Sequence, residues 1–149
     1  MRPRELLTQL ARLQQACEVS SDRAWLAMRE AARQVARCKV VRQTLRDAEA
    51  DIIAGWTAAL NHPAPSPQFL LLWQRELTEC TVRIASAQSE LTLATERLDE
   101  ARTNWRLAHE KTDIVQSRRA DARKRHRAER DEQVLAQIED LHLYRSLVA

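Results

Sequence analysis

Residues that form turns are concentrated in one short segment of this chain. The 149 residues include 1 Gly and 4 Pro, and three of the Pro lie in the segment 61–67, Asn-His-Pro-Ala-Pro-Ser-Pro. β-Sandwiches, barrels and doubly wound sheets need many turns, and turns are rich in Gly and Pro. The composition therefore excludes these folds and predicts long, uninterrupted helices.

Small and apolar residues recur before this segment with alternating spacings of four and three. Twelve of the 14 positions are apolar or Cys. Such a repeat predicts a coiled-coil seam along a first helix over about residues 4–60. The positions are Leu6, Leu10, Leu13, Cys17, Ser20, Ala24, Ala27, Ala31, Gln34, Cys38, Val41, Leu45, Ala48 and Ile52.

A second seam follows the Pro-rich segment with the same spacing and predicts a helix over about residues 67–145. Ser66 and Pro67 fit the cap and the first position of this helix. The seam fades after Val115, and apolar spacing resumes one residue out of phase at Val134. The seam positions are Trp73, Leu77, Cys80, Ile84, Ala87, Leu91, Ala94, Leu98, Ala101, Trp105, Ala108, Thr112 and Val115.

Two seams joined by a short connection bury each other when the second helix folds back on the first. The predicted fold is therefore all-α: a long antiparallel two-helix coiled-coil hairpin with a Pro-rich tip, forming one domain over residues 1–149. Facing residue numbers should sum to roughly 128, so the second helix would extend about 25 residues past the start of the first. A monomer is expected, and a dimer that pairs exposed residues such as Trp25 and Met28 is the alternative.

Motifs for catalysis, cofactors and metals are missing from the sequence. One Gly cannot build a phosphate-binding loop, and Cys17, Cys38 and Cys80 have no C-x-x-C spacing. No two His are four residues apart, as a helical zinc site requires. We expect no enzyme activity, no cofactor and no metal. The sequence has no transmembrane run and no signal peptide, so a cytoplasmic location is expected.

Charge is concentrated near the end of the second helix. Residues 118–130, the basic collar, carry seven basic side chains against Asp121 and Glu129, and residues 131–149 carry four acidic side chains and Arg145. The collar is either a solvated helix extension or a docking surface for an acidic partner. With the apolar residues that follow, the candidate partner-binding set is Arg118, Arg119, Arg123, Arg127, Val134, Ile138 and Leu141.

Aromatic residues cluster around the Pro-rich turn. Ile52, Trp56, Phe69 and Trp73 lie within about ten residues of it. They either close a small core at the tip or form an exposed apolar patch for a partner.

The chain resembles the FliJ/YscO family, the central stalk proteins of type III secretion and flagellar export ATPases. The stretch from Phe69 through LLLWQRELTECTVRIASAQSELTLATERLDEAR carries the resemblance best. Phe69 and Trp73 match a Phe and an apolar residue four later that open the second helix in flagellar members, and Trp56 matches an aromatic late in the first. Glu76 and Cys80 depart from the small residue and the His that follow there, which favours the virulence-type branch.

The resemblance implies a function in protein transport. The helix termini would insert into a hexameric export ATPase and stimulate it, and the tip would contact the export gate membrane protein or secretion chaperones. The chain would then be cytoplasmic and peripheral to the inner-membrane export apparatus. Two other functions stay open: a nucleic-acid-binding coiled coil that uses residues 118–130, and a purely structural helical-hairpin adaptor or chaperone.

Overall fold

The fold is an all-α helical hairpin, as predicted. A computed structural model describes residues 2–149. It contains helix α1, Pro3–Leu60, and helix α2, Pro67–Val148, which pack against each other, and no strand among the described residues. Neither helix holds a stretch that is long and apolar enough to cross a membrane within those residues.

Local sequence explains where each helix begins and ends. At the start of α1 the backbone N–H of Arg2 donates to a Glu5 carboxylate oxygen over 3.3 Å, the return half of a capping box, with Pro3 at the first helical position. The connection is held by an N–H of Ala64 that donates to Nδ1 of His62 over 3.1 Å. Helix α2 begins at Pro67, which has no N–H to satisfy.

The chain divides into two compact units, residues 1–24 with 105–149 and residues 25–104. The second unit contains the main hydrophobic core. Met28 and Ala31 are partly buried against it, which corrects the expectation that Met28 is exposed. Trp25 is 40% exposed, with the Arg29 guanidinium 4.6 Å from its ring. The core consists of Val35, Cys38, Leu91, Ala94 and Leu98.

The predicted α2 seam is correct at every position. All 13 residues are buried or half-buried, and the pattern continues through Arg119, Ala122 and His126 before α2 becomes fully exposed. Two contacts fit the predicted register as well. The Cys80 thiol donates to the Leu45 carbonyl over 3.5 Å, and the Trp73 ring lies against Gly55.

Six of the 14 positions of the predicted α1 seam are wrong. Every second position of the predicted seam does face α2. These positions are Leu10, Cys17, Ala24, Ala31, Cys38, Leu45 and Ile52. The other set is shifted by one residue, except that Ala48 is also half-buried. Leu6, Leu13, Ser20, Ala27, Gln34 and Val41 are exposed, whereas the helix buries or half-buries Leu7, Gln14, Ser21, Met28, Val35, Arg42, Glu49 and Trp56.

Polar residues in the true seam explain two of the six errors, those at Leu13 and Val41. In the unit of residues 25–104, an Arg42 N–H donates to Oε1 of Gln88 over 3.2 Å. In the other unit, an Arg119 N–H donates to Oε1 of Gln14 over 2.8 Å. Both arginines keep a buried Nε that has no hydrogen-bond partner. A pattern search that rewards apolar residues selects Leu13 and Val41 over the polar residues beside them.

Candidate protein-docking surfaces

The last part of α2 extends past the start of α1, where Glu129, Arg130 and Gln133 still line a groove with residues 2–5. Pro3, at the start of α1, lines a groove with His126 of α2. Every residue from 127 to 149, here called the C-terminal extension, is exposed. The extension is rich in large apolar side chains, with Val134 50%, Ile138 56% and Leu141 61% exposed. Exposed apolar residues at this density on one helix are typical of a binding surface.

One four–three series of exposed residues runs from the collar through this segment without meeting a carboxylate. Their spacing is four and three throughout. The repeat is one residue later than the seam series that includes Arg119, Ala122 and His126, which rotates it by about 100° around the helix axis. We call it the docking stripe: Arg123, Arg127, Arg130, Val134, Gln137, Leu141, Tyr144 and Val148, all exposed. Ile138 lies at its edge, beside Gln137.

The arginines of the predicted site do not share one surface. Arg119 is half-buried in the seam and bonds to Gln14. Arg118 and Arg125 line the groove next to Leu6, on a different face of α2 from the stripe. Arg123 and Arg127 lie on the stripe itself. The structure therefore brings together five of the seven predicted residues of this site, the two arginines with Val134, Ile138 and Leu141.

The basic side chains of the collar form no salt bridge among the described residues. Salt bridges elsewhere in residues 2–149 join exposed neighbours, such as Arg37 with Glu30 at 2.6 Å. None of the seven basic side chains of the collar forms a salt bridge with a described carboxylate. The collar can therefore take the carboxylates of a partner without first breaking an ion pair of its own.

The tip is built around the single glycine of the chain. A Cβ atom at position 55 would lie 2.5 Å from Cη2, 2.7 Å from Cζ2 and 2.9 Å from Cζ3 of Trp73. The indole of Trp73 thus lies directly on the α1 backbone, an approach that only Gly allows. Sequence reasoning assigned no packing role to Gly55. A lone Gly inside a long helical pattern was the signal for one, because Gly there costs helix stability.

Packing of Trp73 on Gly55 divides the four predicted tip residues. Ile52, Trp56 and Trp73 are half-buried, whereas Phe69 is 61% exposed. Phe69 and Trp73 line an open cavity of about 410 Å³ together with Ala59, His62, Ala64, Pro65 and Ser66. Both predicted alternatives are thus present: a small core beneath the turn, and an exposed apolar surface on it.

Metal-binding side chains do not cluster in the described part of the chain. Over residues 2–149, no three His, Cys, Asp or Glu side chains come together in a way that could hold a metal ion. Cys17, Cys38 and Cys80 are free thiols, the last two buried in the helix interface.

Comparisons with known proteins give no relative. No family model, no curated protein and no solved structure matches this chain.

Proposed function

We propose that this protein is a stalk or adaptor of a bacterial type III secretion export apparatus. Its helix termini insert into a hexameric export ATPase and promote hydrolysis. The tip, with Phe69 and the cavity beside it, contacts the export gate membrane protein or a secretion chaperone. The proposal places the protein in the cytoplasm, peripheral to the inner-membrane export apparatus, and acting without a cofactor.

The C-terminal extension carries this proposal. A helix of 82 residues that pairs with one of 58 leaves a long segment unpaired. Such a segment is not stabilised by tertiary contacts, and packing on an apolar face is what usually holds a helix in a protein. Its arginines followed by apolar residues suit a partner surface that is acidic and then apolar, such as the lining of an ATPase ring.

A nucleic-acid interface is the main rival. Seven basic side chains in 13 residues are enough to neutralise several phosphates. The apolar half of the docking stripe argues against it, since a phosphate backbone offers Leu141 and Val148 nothing to bury against. A purely structural adaptor would use the seam alone and leave the extension without a role.

Stimulation of a hexameric export ATPase from the same genome tests the proposal. The variant Arg123→Glu/Arg127→Glu should abolish most of the stimulation, because it turns two attractive charges into repulsive ones. Arg119 is left unchanged, since a carboxylate there would enter the seam opposite Gln14. Circular dichroism should show an unchanged hairpin.

The matched control is Arg97→Glu/Arg106→Glu, the same change in net charge at two exposed positions outside the collar. It should stimulate the ATPase as the native protein does. Full stimulation by the collar variant would refute the proposal. So would sub-micromolar binding of the native protein to duplex DNA at physiological salt, with log K falling by about 0.9 per phosphate contact for each decade of salt.

A further inference from the structure

We infer that the docking stripe receives a single amphipathic α-helix from a different protein, which packs on α2 as a coiled-coil partner. This helix has carboxylates facing the three arginines of the stripe and apolar residues facing its second half. The inference deepens the proposed function and rests on it only for the identity of the partner. The binding chemistry follows from residues 123–148 alone.

Spacing shows what kind of element fits. Among the exposed residues from Arg123 to Val148, the four–three series of the stripe combines three Arg with four apolar or aromatic residues and no carboxylate. A loop or a β-strand would meet such a stripe at one or two residues, whereas a second helix can follow it over its whole length. The apolar half is well formed for this purpose: Val134, Leu141 and Val148 are 50%, 61% and 69% exposed.

Phase separates this interaction from the hairpin itself. The stripe is one residue out of register with the seam, so α1 could not cover it even if α1 began earlier. Near Arg123 the seam faces α1 and the stripe lies about 100° around the helix from it, with Arg130 at the groove beside the start of α1. The partner helix therefore adds to the hairpin as a third helix and does not replace α1.

Charge on the stripe disfavours a second copy of this chain as the occupant. None of the eight stripe positions carries a carboxylate, while three carry Arg. Two copies of the stripe would set arginines against arginines, Gln or apolar residues in any register, and a desolvated charge without a counter-charge is costly. The arginines of the stripe are also free of salt bridges to described residues of this chain. A partner with acidic residues at the facing positions supplies the counter-charges that neither a second stripe nor the described residues of this chain provide.

A designed peptide tests this directly with the full-length protein. The probe is a fluorescein-labelled helix of about four heptads, with Glu at the core positions of one half and Leu at those of the other. It is made in both orders, because the partner can run in either direction. Fluorescence anisotropy should show saturable binding for one order. A peptide with the same composition but a scrambled heptad should bind at least about 10-fold more weakly, since loss of about 1.4 kcal/mol is tenfold in affinity.

The chain offers a matched control for the stripe. Val134→Asp/Leu141→Asp changes two stripe residues, and Leu135→Asp/Leu143→Asp changes two residues of similar exposure, 59% each, that lie off the stripe. The first variant should weaken peptide binding by about 10-fold or more, as for buried interface residues. The second should change it by less than about threefold. All four positions are exposed, so neither variant should unfold the hairpin.

Equal loss of binding in both variants would overturn the inference, because it would mean unspecific apolar adhesion. The inference would also be overturned if neither peptide order bound the native chain at about 100 µM. A coiled-coil interface of about four heptads should give a dissociation constant below that concentration. Failure of the proposed function looks different: the peptide binds with stripe specificity, yet the native protein does not stimulate the export ATPase.

Discussion

The contact between Gly55 and Trp73 predicts that Gly55→Ala changes the free energy of unfolding in opposite directions with and without the Trp73 ring. In an exposed helix, Gly→Ala stabilises by about 1 kcal/mol because Ala restricts the unfolded backbone. At position 55 the new Cβ would lie 2.5 to 2.9 Å from three ring carbons of Trp73, well inside van der Waals contact. Displacing a packed ring costs about 2 kcal/mol, within the range for overpacked sites. Gly55→Ala should therefore lower the free energy of unfolding by about 1 kcal/mol.

Removal of the ring reverses the prediction. In a Trp73→Ala background the clash is gone, and Gly55→Ala should raise the free energy of unfolding by about 1 kcal/mol, which gives a coupling of about 2 kcal/mol. Urea denaturation followed by circular dichroism measures all four proteins of the cycle. The control is Ala54→Gly on the exposed face, which should cost about 1 kcal/mol from propensity alone. Stabilisation by Gly55→Ala in the native background would refute the reasoning.

Two further predictions concern the seam and the extension. Arg42→Leu should raise the free energy of unfolding by about 1 kcal/mol, measured as a higher urea midpoint. The change removes a buried guanidinium nitrogen that has no partner, and Gln88 stays exposed to water. A lower midpoint would show that the Arg42–Gln88 hydrogen bond outweighs that cost. Deletion of residues 127–149 should shift the melting temperature of the hairpin by less than about 4 °C, since below about 1 kcal/mol of packing is lost; a larger loss would mean that the extension packs on α1.

Prediction from sequence succeeded where burial and hydrophobicity coincide. Along α2 every seam position that faces α1 in the middle of the hairpin is apolar, Cys or Thr, so the spacing alone identified the buried face through Val115. The Pro-rich segment also located the turn, because three Pro remove backbone donors and restrict their neighbours wherever they occur. Both signals are local and do not depend on knowing the partner surface.

Prediction of the buried face failed at two α1 positions because the facing surface of α2 decides which side chain is buried there. Arg42 and Gln14 are polar, and their burial follows from Gln88 and Arg119 on the facing helix, more than 40 residues away in sequence. The same limit affected the candidate site, where the collar was treated as one surface. Residue type alone cannot tell Arg119, whose N–H bonds to Gln14, from Arg123, which is exposed.

The two Arg–Gln pairs also explain how so regular a hairpin keeps one register. Ala, Leu and Cys recur along both seams, so sliding one helix by a heptad would still match apolar residues with apolar residues. Such a slide would leave the half-buried Arg42 and Arg119 in the seam without Gln88 and Gln14, which costs the two hydrogen bonds that the native register makes. One pair lies in each compact unit. Each pair therefore fixes the register of its own part of the seam. That register in turn sets where α2 leaves α1 and where the docking stripe becomes accessible.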